Sequence, residues 1–180
     1  MLEFILYVTK PDGTMPLVGD SDDGRLHVLA ERPRNDYRYL LSAGAVLFNR
    51  GDFKACSQRF EEETFWLLNV EGLYKFEKIG YQKCNLESKA FKNGGFYIMR
   101  KDEFYMLIHG GGQGGPMSHS HCDSLSFELA IEDRPFIVDP GSYVYSASPN
   151  WRNLFRSTAY HNTVVVDKKQ MNRFGYGHSI

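Results

Sequence analysis

The chain has 180 residues, with 21 Lys and Arg against 22 Asp and Glu and a hydrophobic fraction of 42%. A net charge of −1 excludes the bulk attraction of a basic nucleic-acid-binding protein, and no apolar run approaches the ~18 residues that a membrane-spanning helix needs. The size suits one well-formed core, or one domain with part of another.

Leu2, Phe4, Ile5, Leu6 and Val8 are too densely apolar for a surface helix. They fit the end of a buried one, stopped by Lys10-Pro11-Asp12-Gly13. This stretch has no basic leader and no small-residue cleavage site, so it does not read as a secretory signal. Opening on a buried helix, the chain is expected to be a piece of a longer protein. Gly19–Arg25 is an acidic loop that fails as a calcium loop: counted from Asp20, the sixth position is Arg25 where Gly is required. A polar loop with Asx turns is the better reading. Asp36–Asn49 reads as a helix capped by Asn35 or Asp36, with Tyr37, Leu40, Leu41, Val46 and Leu47 inward. A short helical piece begins at Asp52. Glu61–Tyr74 is another helix, with acids in its first turn and an apolar stripe of Phe65, Leu68 and Leu73. Cys56, Cys84 and Cys122 are odd in number and lack CxxC spacing. They point neither to a disulfide framework nor to a thiolate zinc site.

From about residue 79 the period changes. Ser88–Phe91 and Gly95–Arg100 read as short strands around an Asn93-Gly94 turn, and Asp102–His109 as a third. Gly110–Gly115 forms a loop without the Lys-Ser/Thr ending of a phosphate-cradling loop. His119, His121, Asp123, Leu125, Phe127, Leu129 and Ile131 are all odd-numbered, so a single strand puts both histidines on the apolar face. Glu132–Pro135 is the hairpin turn, Phe136–Val138 returns, and Asp139-Pro140-Gly141 ends the strand. Tyr143–Tyr145 is a weaker strand-like run, Trp151–Arg156 a helical turn, and Thr163–Asp167 a buried strand. The fold class is α+β: helices first, then an antiparallel sheet system arranged as a sandwich. Residues 151–180 carry Arg152, Arg156, Lys168, Lys169 and Arg173 against Asp167. That excess suits an anionic ligand or a solvated basic surface equally.

His119-Ser120-His121 on a strand sets two imidazoles side by side, as β scaffolds do for a metal. Asp139 adds an oxygen and His161 a third imidazole, an acceptable donor set for Zn²⁺. Along a straight hairpin, however, Asp139 falls opposite Glu128, ~23 Å from His121 at strand rise. A shared ion requires His119–Asp123 to bend off the strand and fold back.

Three blocks, G-G-P-M-S-H-S-H-C-D-S-L-S-F-E-L, R-P-F-I-V-D-P-G-S-Y and W-R-N-L-F-R-S-T-A-Y-H-N-T-V-V-V-D, together resemble the heparinase II/III-like polysaccharide lyase family. The similarity runs from about Phe91 to Asp167, and Pro16–Arg25 resembles the acidic loop late in that family's helical domain. The resemblance implies an N-terminal (α/α) toroid followed by a β-sandwich domain. Residues 1–85 would then be the last helices of the toroid, and 86–180 a β-sandwich domain truncated at its C-terminus. It further implies that His121, Asp139 and His161 bind a mainly structural zinc ion and that His119 points into the cleft as a catalytic residue. Arg152 and Arg156 match the family's W-R-x-x-F-R-S-T block. Contact with an acidic sugar is inferred for them, with a structural arginine paired to a buried acid as the alternative.

The chemistry implied is β-elimination on a uronic-acid-containing polysaccharide. The uronate carboxylate is neutralised, a tyrosine or histidine removes the C5 proton, and an acid protonates the departing O4. The family's tyrosine and asparagine from the toroid would lie upstream of Met1; Tyr143, Tyr145 or Tyr160 could supply a second phenol. The same resemblance implies a periplasmic or secreted parent protein. Two other readings stand beside it. One is a non-catalytic carbohydrate-binding or scaffold domain. The other is a cupin-like metalloenzyme, weakened because Leu125 and Ser126 stand where its glutamate belongs.

Overall fold

A computed structural model describes residues 1–21, 24–111 and 119–172. Asp22 and Asp23 of the acidic loop, most of the glycine-rich loop, and Arg173 lie outside the described residues. The chain divides into two compact units, Met1–Met15 with Arg25–Glu87, and Pro16–Gly24 with Ser88–Ile180. The α+β class follows directly: the first unit is helical and the second is built on an antiparallel sheet.

The helical unit contains α1 (Leu2–Val8), α2 (Arg38–Phe48), α3 (Gly51–Ser57) and α4 (Glu62–Lys78). Its core gathers Ile5, Leu6, Leu41, Ala45, Phe53, Phe76 and Ile79. Helix α2 buries the small-residue run Ser42-Ala43-Gly44-Ala45 rather than the expected Leu47, which is exposed. The small side chains permit close approach; a Cβ on Gly44 would lie 2.6 Å from Leu2 Cδ1 and 3.1 Å from the Phe53 ring. The helix stops at Asn49, whose left-handed backbone (φ 52°) is a common helix ending. Neither Asn35 nor Asp36 is the capping residue itself, but Asp36 Oδ1 accepts from the Arg38 backbone N–H at 3.0 Å.

Helix α4 departs from the expected stripe. It is broken at Asn69 (φ 52°, ψ −163°), and Asn69 Oδ1 accepts the Glu71 N–H at 2.7 Å, capping the second half afresh. Before the break Glu63 and Thr64 are buried and Phe65 is exposed; after it the phase is reset and Gly72 and Phe76 are buried. Glu63 is tolerated there because Arg32 Nε meets it at 3.0 Å. The C-terminus of α4 is closed by Lys54, whose Nζ donates to the carbonyls of Phe76, Glu77 and Ile79 at 2.8, 3.1 and 2.8 Å. Cys56 and Cys84 form a disulfide, although the number and spacing of the cysteines pointed to no disulfide framework. It ties α3 to the segment after α4, a closure that no local spacing announces.

The second unit is a five-stranded antiparallel meander, β1 (Lys89–Phe91), β2 (Phe96–Lys101), β3 (Phe104–His109), β4 (Ser126–Ile131) and β5 (Arg134–Ile137), in that spatial order. Ile98, Tyr105, Leu107 and Ala130 form its buried centre. The connection from β1 to β2 needs glycine at Gly95, which has φ 71° and no room for a Cβ against Gly111. Helix α5 (Pro149–Phe155) follows the sheet.

Three strand expectations are corrected. His119–Ile131 is not one strand: β4 begins at Ser126, and Leu125 (φ 64°) turns the preceding residues out of the sheet. Within β4 it is the even-numbered Ser126, Glu128 and Ala130 that are buried, while Phe127 and Leu129 are half-covered and Ile131 is exposed. Alternation separates two faces without saying which is covered, and Glu128 is buried because its Oε1 accepts the Leu17 N–H at 3.0 Å. Tyr143–Tyr145 and Thr163–Asp167 are not strands. Tyr143 has a left-handed φ of 57°. Val164, Val165 and Val166 are exposed, with no strand pairing among the described residues.

Candidate active site

The turn at Leu125 supplies the fold-back that a shared site demands. Leu125 N–H donates to the His109 carbonyl at 2.7 Å, and Ser126 N–H to that of Asp123 at 2.9 Å. His109, at the end of β3, stacks on Phe96 with ring centroids 4.9 Å apart and sets Nδ1 3.2 Å from Asp123 Oδ2. Burial works to raise the Asp123 pKa, but the contact with His109 outweighs it and holds the carboxyl below its ordinary value. Residues 119–123 are thus pinned beside the sheet instead of within it.

The same segment is held from the other side by α5. Arg156 donates Nε and Nη2 to the Ser120 carbonyl at 3.1 and 2.8 Å, and its own carbonyl accepts from Cys122 N–H at 2.9 Å. Arg152, one helical turn earlier, donates Nη2 to Asp20 Oδ2 at 2.6 Å. Both arginines are buried. Arg152 is thus paired with a buried acid, as the structural alternative had it, while Arg156 is engaged by a main-chain carbonyl. Burial, and then the neighbouring Arg152 charge, pull the Arg156 pKa down. Lys168 and Lys169, by contrast, are exposed.

His119 and His121 separate completely. The His121 side chain is fully buried and His119 is 67% exposed. His121 Nε2 lies 3.0 Å from Asp20 Oδ1. Burial lowers the His121 pKa against the opposing pull of Asp20, whose carboxylate oxygen accepts the Nε2–H. For Asp20, burial raises the pKa, but the hydrogen bonds from His121 and Arg152 overcome it and keep the group ionised. Above this pair, His119 Nδ1 is 3.4 Å from Asp20 Oδ2 and 3.3 Å from the Tyr145 hydroxyl. The Tyr145 ring is covered by the Arg152 guanidinium at 4.5 Å, a cation–π contact.

Asp139 and His161 meet below. Asp139 Oδ2 accepts His161 Nδ1–H at 2.7 Å, and Oδ1 accepts the Gly141 N–H at 2.9 Å, closing the Asp-Pro-Gly turn. The rings of His121 and His161 are 5.2 Å apart. Asn162 Nδ2 reaches the carbonyls of Val138 and Phe127 at 2.8 and 3.3 Å, fixing this stretch on β4 and the end of β5. The fold therefore collects His121, Asp139 and His161 in one buried neighbourhood. No group of three His, Cys, Asp or Glu among the described residues is arranged to hold an ion as it stands. The donor types suit zinc, and His161 Nε2 is buried without a hydrogen-bond partner among the described residues. Asp139, expected as a direct oxygen ligand, has both oxygens engaged by His161 and Gly141.

Asp20 was missed as a site residue. It lies 101 residues before His121 in the chain, and the only local signal was the acidic loop itself.

A family model described as heparinase II/III-like, C-terminal, matches residues 84–180. That is more than half of the chain, which belongs to the heparinase II/III-like family of polysaccharide lyases. Among curated relatives, a heparin-sulfate lyase of Pedobacter heparinus is 36% identical over 94 residues, covering 48% of this chain and 14% of the relative. A heparin-sulfate lyase of Bacteroides stercoris is 33% identical over 95 residues, with the same two shares, 48% and 14%. Among solved structures, a mutant heparan sulfate lyase from Pedobacter heparinus matches with a TM-score of 0.64 at 26% identity, over 95% of this chain and 24% of that one. A heparinase III matches with a TM-score of 0.67 at 19% identity, over 93% of this chain and 26% of that one, a likeness of fold. The chain spans 14% of the length of these curated relatives.

Proposed function

We propose that this chain is part of a polysaccharide lyase that cleaves an acidic, uronic-acid-containing polysaccharide by β-elimination. The observation that carries the reading is the division of the His-Ser-His motif: His119 exposed beside the Tyr145 hydroxyl, His121 buried on Asp20. An exposed imidazole on a buried ionic base, with a phenol 3.3 Å away, offers two proton-transfer groups at one surface. In the reaction a base takes the C5 proton, the C4–O4 bond breaks, C4=C5 forms, and an acid protonates O4. No water is consumed. His119 is assigned to the substrate side as base, with Tyr145 the neighbouring proton donor. The curated relatives being heparin-sulfate lyases supports the acidic-glycan class. Residues 1–85 as the end of an (α/α) toroid and 86–180 as a β-sandwich domain belong to the same reading. The half-covered apolar face of β4 would meet the sandwich's second sheet.

A structural Zn²⁺ held by His121, Asp139 and His161 is part of this proposal. The unsatisfied buried Nε2 of His161 beside the His121 ring supports it. Bound there, the ion would cross-link the fold-back segment to the Asp-Pro-Gly turn and to the residues after α5. The Cys56–Cys84 disulfide supports a periplasmic or secreted location, where such bonds persist. No helix among the described residues is long and apolar enough to cross a membrane.

A second reading is a carbohydrate-binding part without chemistry. One assay separates the two. Incubating the intact protein with a panel of uronic polysaccharides is expected to generate ultraviolet absorbance from the unsaturated uronate. Binding with no absorbance change on any polymer would leave the second reading standing.

A further inference from the structure

Resting on the lyase reading above, we infer that Asp20 is the positioning carboxylate of the site, which orients His119 so that its Nε2 faces the substrate.

The contacts form a closed ring. Asp20 Oδ2 takes the Arg152 Nη2–H at 2.6 Å, Arg152 covers the Tyr145 ring at 4.5 Å, the Tyr145 hydroxyl meets His119 Nδ1 at 3.3 Å, and His119 Nδ1 lies 3.4 Å from the same Asp20 oxygen. Every polar neighbour of the His119 ring in this ring of contacts approaches Nδ1. A carboxylate beside Nδ1 favours the tautomer carrying hydrogen there, which leaves the Nε2 lone pair outward as a base. The other Asp20 oxygen holds His121 Nε2 at 3.0 Å, so one buried carboxylate sets both histidines of the motif.

The backbone reinforces this. Asp20 N–H donates to the His119 carbonyl at 3.0 Å, so Asp20 is tied to residue 119 through the main chain while its carboxylate stands 3.4 Å from the ring. Gly19 makes the approach possible: it has φ 57°, and a Cβ there would collide with the His119 carbonyl oxygen. Two segments a hundred residues apart are joined at a contact that admits only glycine. Arg152 supplies the cation that pairs with the buried carboxylate, at 2.6 Å. A carboxylate so placed differs from a simple counterion of Arg152, and that difference can be measured.

The test uses the intact protein, with Asp20→Asn, Arg152→Met and the double variant, each checked for its thermal midpoint. Two readouts are taken: lyase kinetics, and the ¹⁵N shifts of the His119 ring nitrogens above pH 8. Asp20→Asn is expected to lower kcat at least 100-fold with KM within about twofold, and to remove the preference for hydrogen on His119 Nδ1. The double variant is expected to stay as slow as Asp20→Asn. If Asp20 serves only to neutralise Arg152, the double variant recovers activity and the His119 tautomer is the same in all four proteins; that result overturns the inference. The ring shifts need no turnover. Absence of activity in the wild-type protein would therefore remove the lyase reading, while the tautomer would still decide the role of Asp20.

Discussion

Removing the Cys56–Cys84 disulfide is expected to destabilise the helical unit by about 3–4 kcal/mol. The bridge closes a loop of 28 residues in sequence separation, and the chain-entropy cost of leaving such a loop open in the unfolded state gives that magnitude at 25 °C. The two cysteines pack against the cluster of Ile5, Leu41, Phe53 and Phe76, so Cys56→Ser with Cys84→Ser adds a packing loss and does not fall below the entropic figure. For a unit of this size the thermal midpoint should drop on the order of 10 °C or more. Calorimetry or circular dichroism with and without reductant reads the shift, and a thiol titration in denaturant reads the bond itself. One titratable thiol per chain is expected before reduction, from Cys122, and three after. Three thiols before reduction, or an unchanged midpoint after it, would refute the bridge as a stabilising element.

Three further outcomes follow from particular contacts. Gly19→Ala is expected to cost roughly 1–3 kcal/mol, because a side chain is strained at this φ and meets the His119 carbonyl; an unchanged denaturation midpoint would contradict the close approach. Arg50 holds the Asp52 carboxyl below its ordinary pKa, chiefly by hydrogen bonding. Its stabilisation is therefore present above the unfolded pKa of ~3.9 and is lost as pH falls through the lowered folded value. Asp52→Asn should thus destabilise at pH 7 and converge with wild type in strong acid, by well under 1 kcal/mol for a pair this exposed. An equal effect of the variant at both pH values would refute the linkage. Elemental analysis of purified protein should find about one zinc per chain, lost on His121→Ala; a folded, active wild-type protein free of metal would remove the zinc proposal.

The helices were legible where apolar spacing was uninterrupted, as in α1 and in the Leu41 face of α2. They were misread at α4 because Asn69 resets the phase midway, and because Glu63 is buried by an ion pair to Arg32, 31 residues away. Antiparallel strands up to His109 were readable from alternation and turn residues. Beyond it, alternation continued through His119–Ile131 while the chain did not, since the turn at Leu125 depends on hydrogen bonds to His109 and Asp123 that local pattern does not encode. Exposure of the three valines after Thr163 shows the converse limit: β propensity needs a partner strand before it becomes a strand. At the site, residue types in the His-Ser-His, Asp-Pro-Gly and His-Asn-Thr blocks named most of the participants. Asp20 entered through long-range packing, and the contact with His119 singled out Tyr145 from the three candidate phenols. The arginines of α5 were found by motif, but their burial depends on Asp20 and the Ser120 carbonyl, which the motif does not include.

The most direct test of the account is formation of unsaturated uronate by the intact protein and by its His119→Ala variant on the same polysaccharide. Wild type is expected to raise the ultraviolet absorbance steadily, and the variant to lose at least 100-fold in rate while keeping its thermal midpoint. Equal rates for the two proteins would contradict the assignment of the exposed histidine to the chemistry.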